Sequence, residues 1–395
     1  MARTYTWQDL MTPAVVADPY PFYDAMRQHS PTGLAPEGTP PGATDLFWPI
    51  LKYGDVYAAL SDHETFSSEQ QVGGAGAFRL VLINDDPPRH TRLRKLVSRT
   101  FIPKRIAAWE PWIRQTSNDL FDEMGDGAVE SVWNYTVPLP VKAIATLLGI
   151  PTSEYQTFKR WTDSLLSGTG GEDRGRMMQD MMEMAAYFAR TATARRADPQ
   201  EDLISLLVTG DTDEGKLDDG EVIGFCILLL VAGNETTTNL MGNCLNFLAN
   251  NPAVYAQLRA DRDLVEPFIE EMLRYESPVQ VLFRSTLKEA QLPSGAIIPA
   301  GQRCGMFYGS ANRDPEAWAE ADTFRVDRNL KDHVAFGHGI HYCLGSPLAR
   351  TEARVTLHNL LERYREVRPG SGAAERQVAS PIVFGFRTLP LELIP

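Results

Sequence analysis

A glycine-rich loop that carries one cysteine constrains this chain more than any other segment. Residues 336–345 read FGHGIHYCLG. Gly339 and Gly345 lie on either side of Cys343, and because glycine has no Cβ, the backbone at both positions can approach a flat ligand closely. His341 lies two residues before the cysteine, on the same side of an extended segment. The loop therefore predicts a ligand site centred on this cysteine.

The segment after the loop favours a thiolate at Cys343. The predicted helix begins at Ser346 and Pro347. Its first N–H groups are directed back at the Cys343 sulfur. This arrangement stabilises a thiolate, and a thiolate in a desolvated pocket binds a soft metal. We therefore expect Cys343 to be a metal ligand. The alternative is a small cysteine buried in the turn before a helix, because free cysteine is often a core residue.

The spacing F-x-x-G-x-H-x-C-x-G resembles the haem-ligand loop of the cytochrome P-450 family. The resemblance implies that Cys343 binds the iron of haem b. It also implies that the cofactor is contacted by Phe336, Gly337, His341 and Gly345. The implied fold is mainly α with small peripheral β-sheets, with the haem between the long central helix and the helix after the cysteine loop.

Length and composition favour one large helical domain over residues 1–395. A chain of 395 residues suggests two or three domains by length alone, but no linker and no internal repeat separates independent hydrophobic blocks. The hydrophobic share of 43% allows a core large enough to enclose a cofactor. The net charge of −13 disfavours nucleic acids and anionic membranes as partners.

The sequence also predicts a soluble, cytoplasmic monomer. The first nine residues lead into no apolar stretch of a signal peptide, and the anchor helix of membrane-bound members of the resembled family is not found. The longest apolar run, Phe225–Ala232, is far shorter than a membrane span. Four cysteines in a chain of this length do not form a disulfide framework, and no two of them show C-x-x-C spacing. They are Cys226, Cys244, Cys304 and Cys343.

Helical patterns dominate the chain, and the βαβ rhythm of a nucleotide-binding fold is absent from the sequence pattern. The predicted helices are Pro21–Gln28, His90–Arg99, Lys104–Met124, Glu154–Ser167, Arg174–Arg196, Asp219–Asn251, Val265–Tyr275 and Pro347–Tyr364. The predicted strands are Leu46–Ile50, Val281–Ser285, Ile297–Pro299 and a terminal hairpin over Val378–Phe386.

The longest predicted helix has an unusual middle. It is apolar nearly all round from Val222 to Ala232, as expected for a helix that crosses a large core. The segment AGNETTT at 232–238 then interrupts it with poor helix formers. Ala232 and Gly233 would leave room for a ligand, and a threonine hydroxyl can bond back to a carbonyl. The alternative is a packing glycine with a polar kink.

The same segment resembles the dioxygen-activating motif A-G-x-[D/E]-T-T of the cytochrome P-450 family. By this resemblance, Thr236 hydrogen-bonds dioxygen at the haem, and Glu235 relays protons to it. O–O cleavage needs two protons at the distal oxygen, and a thiolate on the opposite side supplies electron density.

An E-x-x-R pattern, Glu271 and Arg274, lies on a predicted helix. Alone, this spacing is an ordinary surface pair. In the resembled family the pair is structural and is closed by a later arginine, for which Arg328 is the candidate. The resemblance implies that this network holds the cysteine loop from behind. The more usual Pro-Glu-Arg-Phe string of the family is absent here.

Two haem propionates would need cations, because a buried dianion is costly without them. His90 and Arg94 share one helix face at i and i+4, in a segment that resembles the propionate-clamping helix of the family. Arg284 and His341 complete the implied set. For His90, a solvated helix face is the alternative.

Basic residues cluster near the implied cysteine side of the haem, which would suit docking of an acidic electron donor. The alternative is two solvated helix faces. The resemblance implies a ferredoxin-type donor with its NAD(P)H-dependent reductase, because a flavin or reductase domain does not fit in this chain. The basic residues are Arg89, Arg92, Lys95, Arg99, Lys104, Arg105, Arg350 and Arg354.

By family analogy, a mostly apolar pocket predicts a hydrophobic small-molecule substrate. The predicted contacts are Val72 and Phe78 in a glycine-rich loop, Leu229 and Ala232, Val281 and Leu282, and Ile382 and Val383. The implied reaction inserts one oxygen atom into a C–H bond or a double bond and releases the other as water.

Three alternatives to this monooxygenase remain open at the level of sequence. The first is a peroxygenase of the same fold, which Glu235 and Thr236 disfavour because peroxide already carries the protons that they would deliver. The second is a haem-binding sensor without turnover. The third is a metal-free helical scaffold.

Overall fold

The computed structural model of the chain describes residues 5–29, 47–69, 80–167, 174–212, 215–328, 330 and 332–395. These residues form two compact units. The first unit comprises Met1–Ala75, Glu266–Cys343 and Arg376–Phe384. The second unit comprises Gly76–Val265, Leu344–Glu375 and Gly385–Pro395. Neither unit is one continuous stretch, so the chain passes repeatedly from one to the other.

Helices make up most of the structure, and the strands are short. The helices are α1 Pro13–Ala17, α2 Tyr20–His29, α3 Tyr53–Ser61, α4 Arg89–Ser98, α5 Pro103–Met124, α6 Pro138–Leu148, α7 Tyr155–Ser167, α8 Arg174–Ala197, α9 Leu203–Thr209, α10 Asp219–Asn250, α11 Pro252–Ala260, α12 Val265–Tyr275, α13 Tyr308–Ala311 and α14 Ser346–Arg363. The strands are β1 Trp48–Ile50, β2 Phe66–Ser67, β3 Gly127–Glu130, β4 Asp211–Thr212, β5 Gly215–Lys216, β6 Val281–Thr286, β7 Ala290–Gln291, β8 Ile297–Ile298, β9 Arg303–Phe307, β10 Glu366–Pro369, β11 Glu375–Arg376, β12 Phe386–Thr388 and β13 Pro390–Ile394. The predicted fold class, mainly α with small β-sheets, is confirmed.

The first unit is organised around a four-stranded sheet of order β1-β9-β6-β2. β1 pairs with β9 in parallel, and β6 pairs with β9 in antiparallel register, with Arg284 opposite Cys304. On one side, Val281 and Phe307 pack into an aromatic cluster with Trp7 and neighbouring side chains. Burial of these large side chains fixes the register of β6, and β6 carries the predicted cofactor residue Arg284.

The second unit is built around α10. Asp218 caps this helix, since its side chain accepts from the Glu221 N–H and Glu221 in turn accepts from the Asp218 N–H. Helices α6, α7, α8 and α14 pack against it. α10 is long and apolar enough to cross a membrane, but its most apolar window is 61% buried within the protein. It therefore has the burial of a core helix.

The predicted interruption of α10 is not observed. The helix runs unbroken through residues 232–238. The Thr236 hydroxyl does bond back to the Ala232 carbonyl, at 2.8 Å, as the sequence suggested. Burial of the flanking apolar turns outweighs the weak helix propensities of this segment, because tertiary packing routinely overrides propensity.

Every predicted helix is present with ends shifted by one residue or less, and α1, α3, α6, α9, α11 and α13 were missed. The predicted terminal hairpin over Val378–Phe386 is wrong. Most of that span connects β11 to β12, and it contributes only an isolated bridge between Val279 and Val383. Pro381 and Gly385 explain the error, because neither residue supports a continuous ladder.

Candidate functional site

The cysteine loop closes on itself through backbone hydrogen bonds. The Cys343 N–H donates to the Phe336 carbonyl at 2.9 Å, and the Gly337 N–H donates to the Val334 carbonyl at 2.9 Å. Gly337 adopts a φ of 69°, a left-handed conformation that glycine reaches without strain. The position of Cys343 is thus defined by the loop itself.

The two glycines beside Cys343 serve different purposes. Gly339 also has a φ of 69°, and a Cβ there would lie 2.5 Å from the Leu60 carbonyl oxygen. The sequence predicted close approach of a flat ligand, but the close neighbour at Gly339 is the end of α3. At Gly345, the residue before α14, a Cβ would meet no atom within 4 Å. The space predicted for a ligand is therefore found at Gly345 alone.

Cys343 is the one cysteine whose side chain is accessible. Cys226, Cys244 and Cys304 are buried, whereas Cys343 is half-buried. Burial raises the pKa of the Cys304 thiol to about 12, and burial, followed by the charge of Asp202, raises the pKa of Cys226 further. These thiols stay protonated at neutral pH. Of the four sulfurs, that of Cys343 therefore best fits a metal ligand.

The Glu271–Arg274 pair is a fully buried ion pair in the first unit. Arg274 donates to both carboxylate oxygens of Glu271 at 2.8 Å, and both side chains are 0% exposed. Arg328 approaches the same carboxylate, with its Nε 3.2 Å from Glu271 Oε1. The predicted third member of this network is therefore in place. An exposed surface pair is excluded.

Asn312 joins this network to the cysteine loop. Arg274 Nη1 donates to the Asn312 carbonyl at 2.9 Å. The Asn312 side-chain oxygen accepts the Val334 N–H at 2.8 Å, and Val334 in turn accepts from Gly337. The ion pair thus reaches the loop through three consecutive hydrogen bonds. Sequence reasoning missed Asn312, because it lies far from the loop along the chain.

The four predicted propionate ligands are divided between the units. Arg284 and His341 belong to the first unit, and His90 and Arg94 belong to the second. His341 Nε2 lies 2.8 Å from the Ser68 hydroxyl. His90 is only 2% exposed, so the solvated helix face considered for it is wrong. Arg94, four residues later on α4, is half-buried.

The surroundings of Arg284 show whether the site suits an anionic cofactor. Its guanidinium is buried, at 6% exposed, and it donates to the Phe283 carbonyl at 2.8 Å. Within the described part of the chain, no carboxylate forms an ion pair with it. A buried cation without a counter-ion is costly. The residue therefore fits a carboxylate supplied by a bound cofactor, as a haem propionate would be.

The predicted dioxygen segment forms an accessible stretch on a helix that is otherwise mostly buried. Ala232 is exposed, and Gly233, Glu235 and Thr236 are half-buried. A Cβ at Gly233 would lie 2.6 Å from Ile144 Cδ1. Gly233 therefore allows close packing of α6 on α10, and the room predicted for a ligand on this helix lies at Ala232.

Glu235 is held by a lysine that the sequence analysis did not single out. Lys159 Nζ donates to Glu235 Oε2 at 2.9 Å and also pairs with Asp163. Burial lowers the pKa of Lys159, but the two carboxylates outweigh it and the net shift is upward. Burial raises the pKa of Asp163 despite the attraction of Lys159. The i,i+4 spacing of Lys159 and Asp163 was visible in the sequence, but their contact with α10 was not.

The predicted substrate contacts are only partly accessible. Val72 and Phe78 lie outside the described residues. Val281 packs in the core with Phe307, whereas Leu282, on the opposite face of β6, is half-buried. Leu229 and Val383 are buried, and Ile382 is half-buried. The side chains with accessible apolar surface are therefore Leu282 and Ile382, together with Ala232.

The sequence model of the family described as Cytochrome P450 matches residues 141–393. The chain is a cytochrome P450. It is 36% identical to the cytochrome P450 monooxygenase PikC of Streptomyces venezuelae, over 95% of this chain and 91% of PikC. It is 36% identical to the cyclomarin C epoxidase CymV of Salinispora arenicola, over 87% of this chain and 89% of CymV. The crystal structure of CYP109E1 from Bacillus megaterium in complex with testosterone matches with a TM-score of 0.88 and 35% identity, over 97% and 99% of the two chains.

These similarities confirm the reaction class and the cofactor. The P450 is a monooxygenase that hydroxylates or epoxidises a small molecule, as its relatives do. P450s bind haem b through a cysteine thiolate, and the accessible Cys343 and the uncompensated Arg284 fit that cofactor. When bound, haem supplies the redox chemistry of dioxygen activation.

Only part of the predicted basic cluster is exposed. Arg92 Nη2 lies 2.6 Å from Glu221 Oε1, and Arg89 Nη2 lies 3.2 Å from the same oxygen. Both arginines therefore attach α4 to the first turn of α10. Arg354 pairs with Glu110 at 2.8 Å, and Arg350 is half-buried. The remaining predicted basic residues, Lys95, Arg99, Lys104 and Arg105, are exposed.

Proposed function

We propose that this P450 receives electrons one at a time from a ferredoxin-type donor. An NAD(P)H-dependent reductase would reduce that donor. The proposed docking surface, called here the basic surface, consists of Lys95, Arg99, Lys104, Arg105 and Ile102. The four cations are exposed on α4, α5 and the segment between them. Ile102 lies among them along the chain and is 43% exposed. In a chain of net charge −13, such positive density favours an acidic partner.

The proposed substrate is a hydrophobic small molecule. Leu282 and Ile382 offer half-buried apolar side chains, and Ala232 offers an exposed methyl group. CYP109E1 is described with testosterone, a largely apolar molecule, which agrees with an apolar pocket. Val281 is the weakest of the earlier candidates, because its side chain is enclosed in the core of the first unit.

The proposed cofactor contacts follow from charge and accessibility. Cys343 would ligate the iron through its sulfur. By the family resemblance, Arg284, His341, His90 and Arg94 would neutralise the two propionates. Phe336, Gly337 and Gly345 would contact the cofactor from the loop, and Ala232 would contact it from α10. Gly233 is not retained in this set, because Ile144 packs against it.

Glu235 and Thr236 are proposed to deliver protons at the dioxygen position. The Thr236 hydroxyl donates to the Ala232 carbonyl at 2.8 Å, and it would turn from that acceptor to donate to dioxygen. Glu235 Oε2 would first leave Lys159 Nζ and take up a proton from water. The carboxyl group of Glu235 would then pass that proton to the dioxygen position beside the Thr236 hydroxyl. Glu271, Arg274 and Arg328 would have a purely structural role in supporting the loop.

We also propose that residues 1–395 act as one haem domain, in the cytoplasm and as a monomer. The chain alternates between the two compact units several times, so neither unit is a separable segment. CYP109E1 is matched over 99% of its length, which supports reading the whole chain as one functional domain.

The observation that carries this proposal is the accessible thiol of Cys343 in a loop braced by a buried Glu–Arg pair. Its test compares product formation with a reduced ferredoxin and reductase against hydrogen peroxide alone. Ferredoxin-supported turnover well above peroxide-supported turnover is expected. The reverse ranking would indicate a peroxygenase, and the absence of product both with the ferredoxin system and with hydrogen peroxide would indicate a sensor.

Donor docking has its own matched comparison. The double variant Lys95→Glu, Arg99→Glu should raise the KM for ferredoxin by roughly tenfold at low salt, because rim charges mainly govern association. Arg190→Glu makes the same kind of charge reversal at an exposed position on α8 and should leave that KM unchanged. Equal effects of the two substitutions would contradict docking on the basic surface.

A further inference from the structure

Lys159 has more partners than an ion pair with Glu235 requires. Its Nζ contacts Glu235 Oε2 at 2.9 Å, the Asp163 carboxylate one helical turn away, and the ring of Trp133, whose centroid lies 5.7 Å from Nζ. All four residues belong to the second unit. The lysine side chain is only 10% exposed.

We propose that Trp133 and Asp163 are positioning residues, which keep the Lys159 ammonium charged and in place while Glu235 is released to carry a proton. This inference rests on the proposed proton-delivery role of Glu235. Trp133 and Asp163 would act through Lys159, without contact to substrate or cofactor.

Lys159 needs further partners because its side chain is charged. When Glu235 takes up a proton or turns away, the ammonium of Lys159 loses the carboxylate that compensates it. A largely buried ammonium without a counter-ion is costly. It would then either follow Glu235 or recapture it, and both outcomes slow proton delivery. Asp163 prevents this, because it stays one turn away on α7 whatever Glu235 does.

Trp133 supplies an attraction that no protonation event removes. A cation within about 6 Å of an indole centroid is attracted by the ring quadrupole. Because this attraction does not depend on the charge of either carboxyl group, it persists when Glu235 or Asp163 is protonated. The ring thus limits how far Lys159 can move during the proton-transfer step.

The position of Trp133 is not explained by core packing. Its side chain is 47% exposed, although a large apolar ring gains stability by burial. Its backbone is fixed, because its N–H donates to Glu130 Oε2 at 2.7 Å. It lies in the π-helical turn Val132–Thr136, an arrangement that occurs frequently at functional sites. The turn thus presents the ring to Lys159 at the surface.

The test uses the haem-loaded enzyme with a reductase, a ferredoxin and a turned-over substrate. Trp133→Ala and Trp133→Leu remove the aromatic face, and Trp133→Phe keeps one. We expect product per NAD(P)H to fall roughly threefold to tenfold in the first two variants and to recover in the third, in line with the strength of a cation–π contact. The solvent deuterium isotope effect on kcat should rise in the same two variants. Asp163→Asn should behave like Trp133→Ala.

Substrate affinity and the spectrum of the reduced carbon monoxide complex should stay unchanged in all these variants. Leu287→Ala, at an exposed apolar position of the first unit, is the control and should match the wild type. Unchanged coupling and isotope effect in both Trp133→Ala and Asp163→Asn would overturn the inference. Glu235→Gln separates the proton-delivery role of Glu235 from the positioning role of Trp133 and Asp163. If that substitution has no effect, proton delivery through Glu235 is itself wrong, and if it alone impairs coupling, only the positioning role fails.

Discussion

The side-chain oxygen of Asn312 accepts the backbone N–H of Val334 at 2.8 Å. Asn312 also accepts from Arg274 through its own carbonyl, at 2.9 Å. One buried asparagine thus connects the Glu271–Arg274 ion pair to the segment that leads into the cysteine loop. The ion pair supports the loop by fixing Asn312, which binds the loop at Val334.

Asn312→Ala should weaken both the fold of the loop and haem retention. The substitution leaves the buried Val334 N–H without its acceptor, which costs about 1–3 kcal/mol. Denaturant unfolding and haem content after purification are the measurements. Asn250→Ala, at an exposed side chain near the end of α10, is the control and should change neither. Full haem content with wild-type stability in the Asn312 variant would show that the link is dispensable.

Arg284→Ala should accelerate haem loss. A propionate that loses its buried guanidinium partner is destabilised by at least about 2 kcal/mol, or roughly 30-fold in dissociation rate. Transfer of haem to an acceptor protein measures that rate. Arg284→Lys should restore part of the retention, because the charge is kept and the fork geometry is lost. Arg303→Ala, on the neighbouring strand β9, is the control. An unaltered rate in Arg284→Ala would remove this residue from the proposed propionate set.

Thr236→Ala should separate haem binding from productive turnover. The hydroxyl is the group proposed to direct a proton at dioxygen, so its loss should lower product per NAD(P)H by roughly tenfold. Reducing equivalents should appear as hydrogen peroxide, and the haem spectrum should be retained. Thr236→Ser keeps the hydroxyl and should stay near the wild type. A Thr236→Ala enzyme with unchanged coupling would refute the proton-delivery role.

Glu352 predicts a pH dependence of stability. This side chain of α14 is 1% exposed, and burial raises the pKa of its carboxyl group from 4.5 to about 8. Between these values the unfolded chain has lost the proton while the folded protein keeps it. Stability contributed by the neutral carboxyl is therefore fully present below pH 4.5 and is lost as the pH rises toward 8.

Glu352→Gln should remove this dependence. The difference in unfolding free energy between variant and wild type should grow in favour of the variant from pH 5 to pH 8, by on the order of 3 kcal/mol. Glu362→Gln changes an exposed side chain of the same helix and serves as the control. A difference that stays constant over this pH range would mean that Glu352 ionises normally in the folded protein.

The fold class and the ligand loop were predictable because both are encoded locally. Helical periodicity predicted α5, α10 and α14 nearly to the residue. α6 escaped prediction, because it opens with two prolines and is apolar on most sides, so no periodic pattern marks it. The role of Gly339 could not be read from the loop either, since its close neighbour is the carbonyl of Leu60, far away in the chain.

The partners of Glu235 illustrate the limit of the sequence most clearly. The A-G-x-[D/E]-T-T motif on α10 was recognisable in the sequence, but Lys159 lies 76 residues before Glu235. Only packing of α7 on α10 brings the two side chains together. The basic residues show the converse, because Arg89 and Arg92 look like surface charges in the sequence and are paired with Glu221 in the structure.

Thiolate ligation of haem iron by Cys343 is tested most directly by the absorption spectrum of the freshly purified, reduced protein under carbon monoxide. The account predicts a Soret maximum shifted far to the red, as thiolate ligation produces. It also predicts that Cys343→Ser abolishes this shift, whereas Cys244→Ser, at a buried cysteine, preserves it. A wild-type spectrum without the shift, or a Cys343→Ser protein that keeps it, would contradict the account.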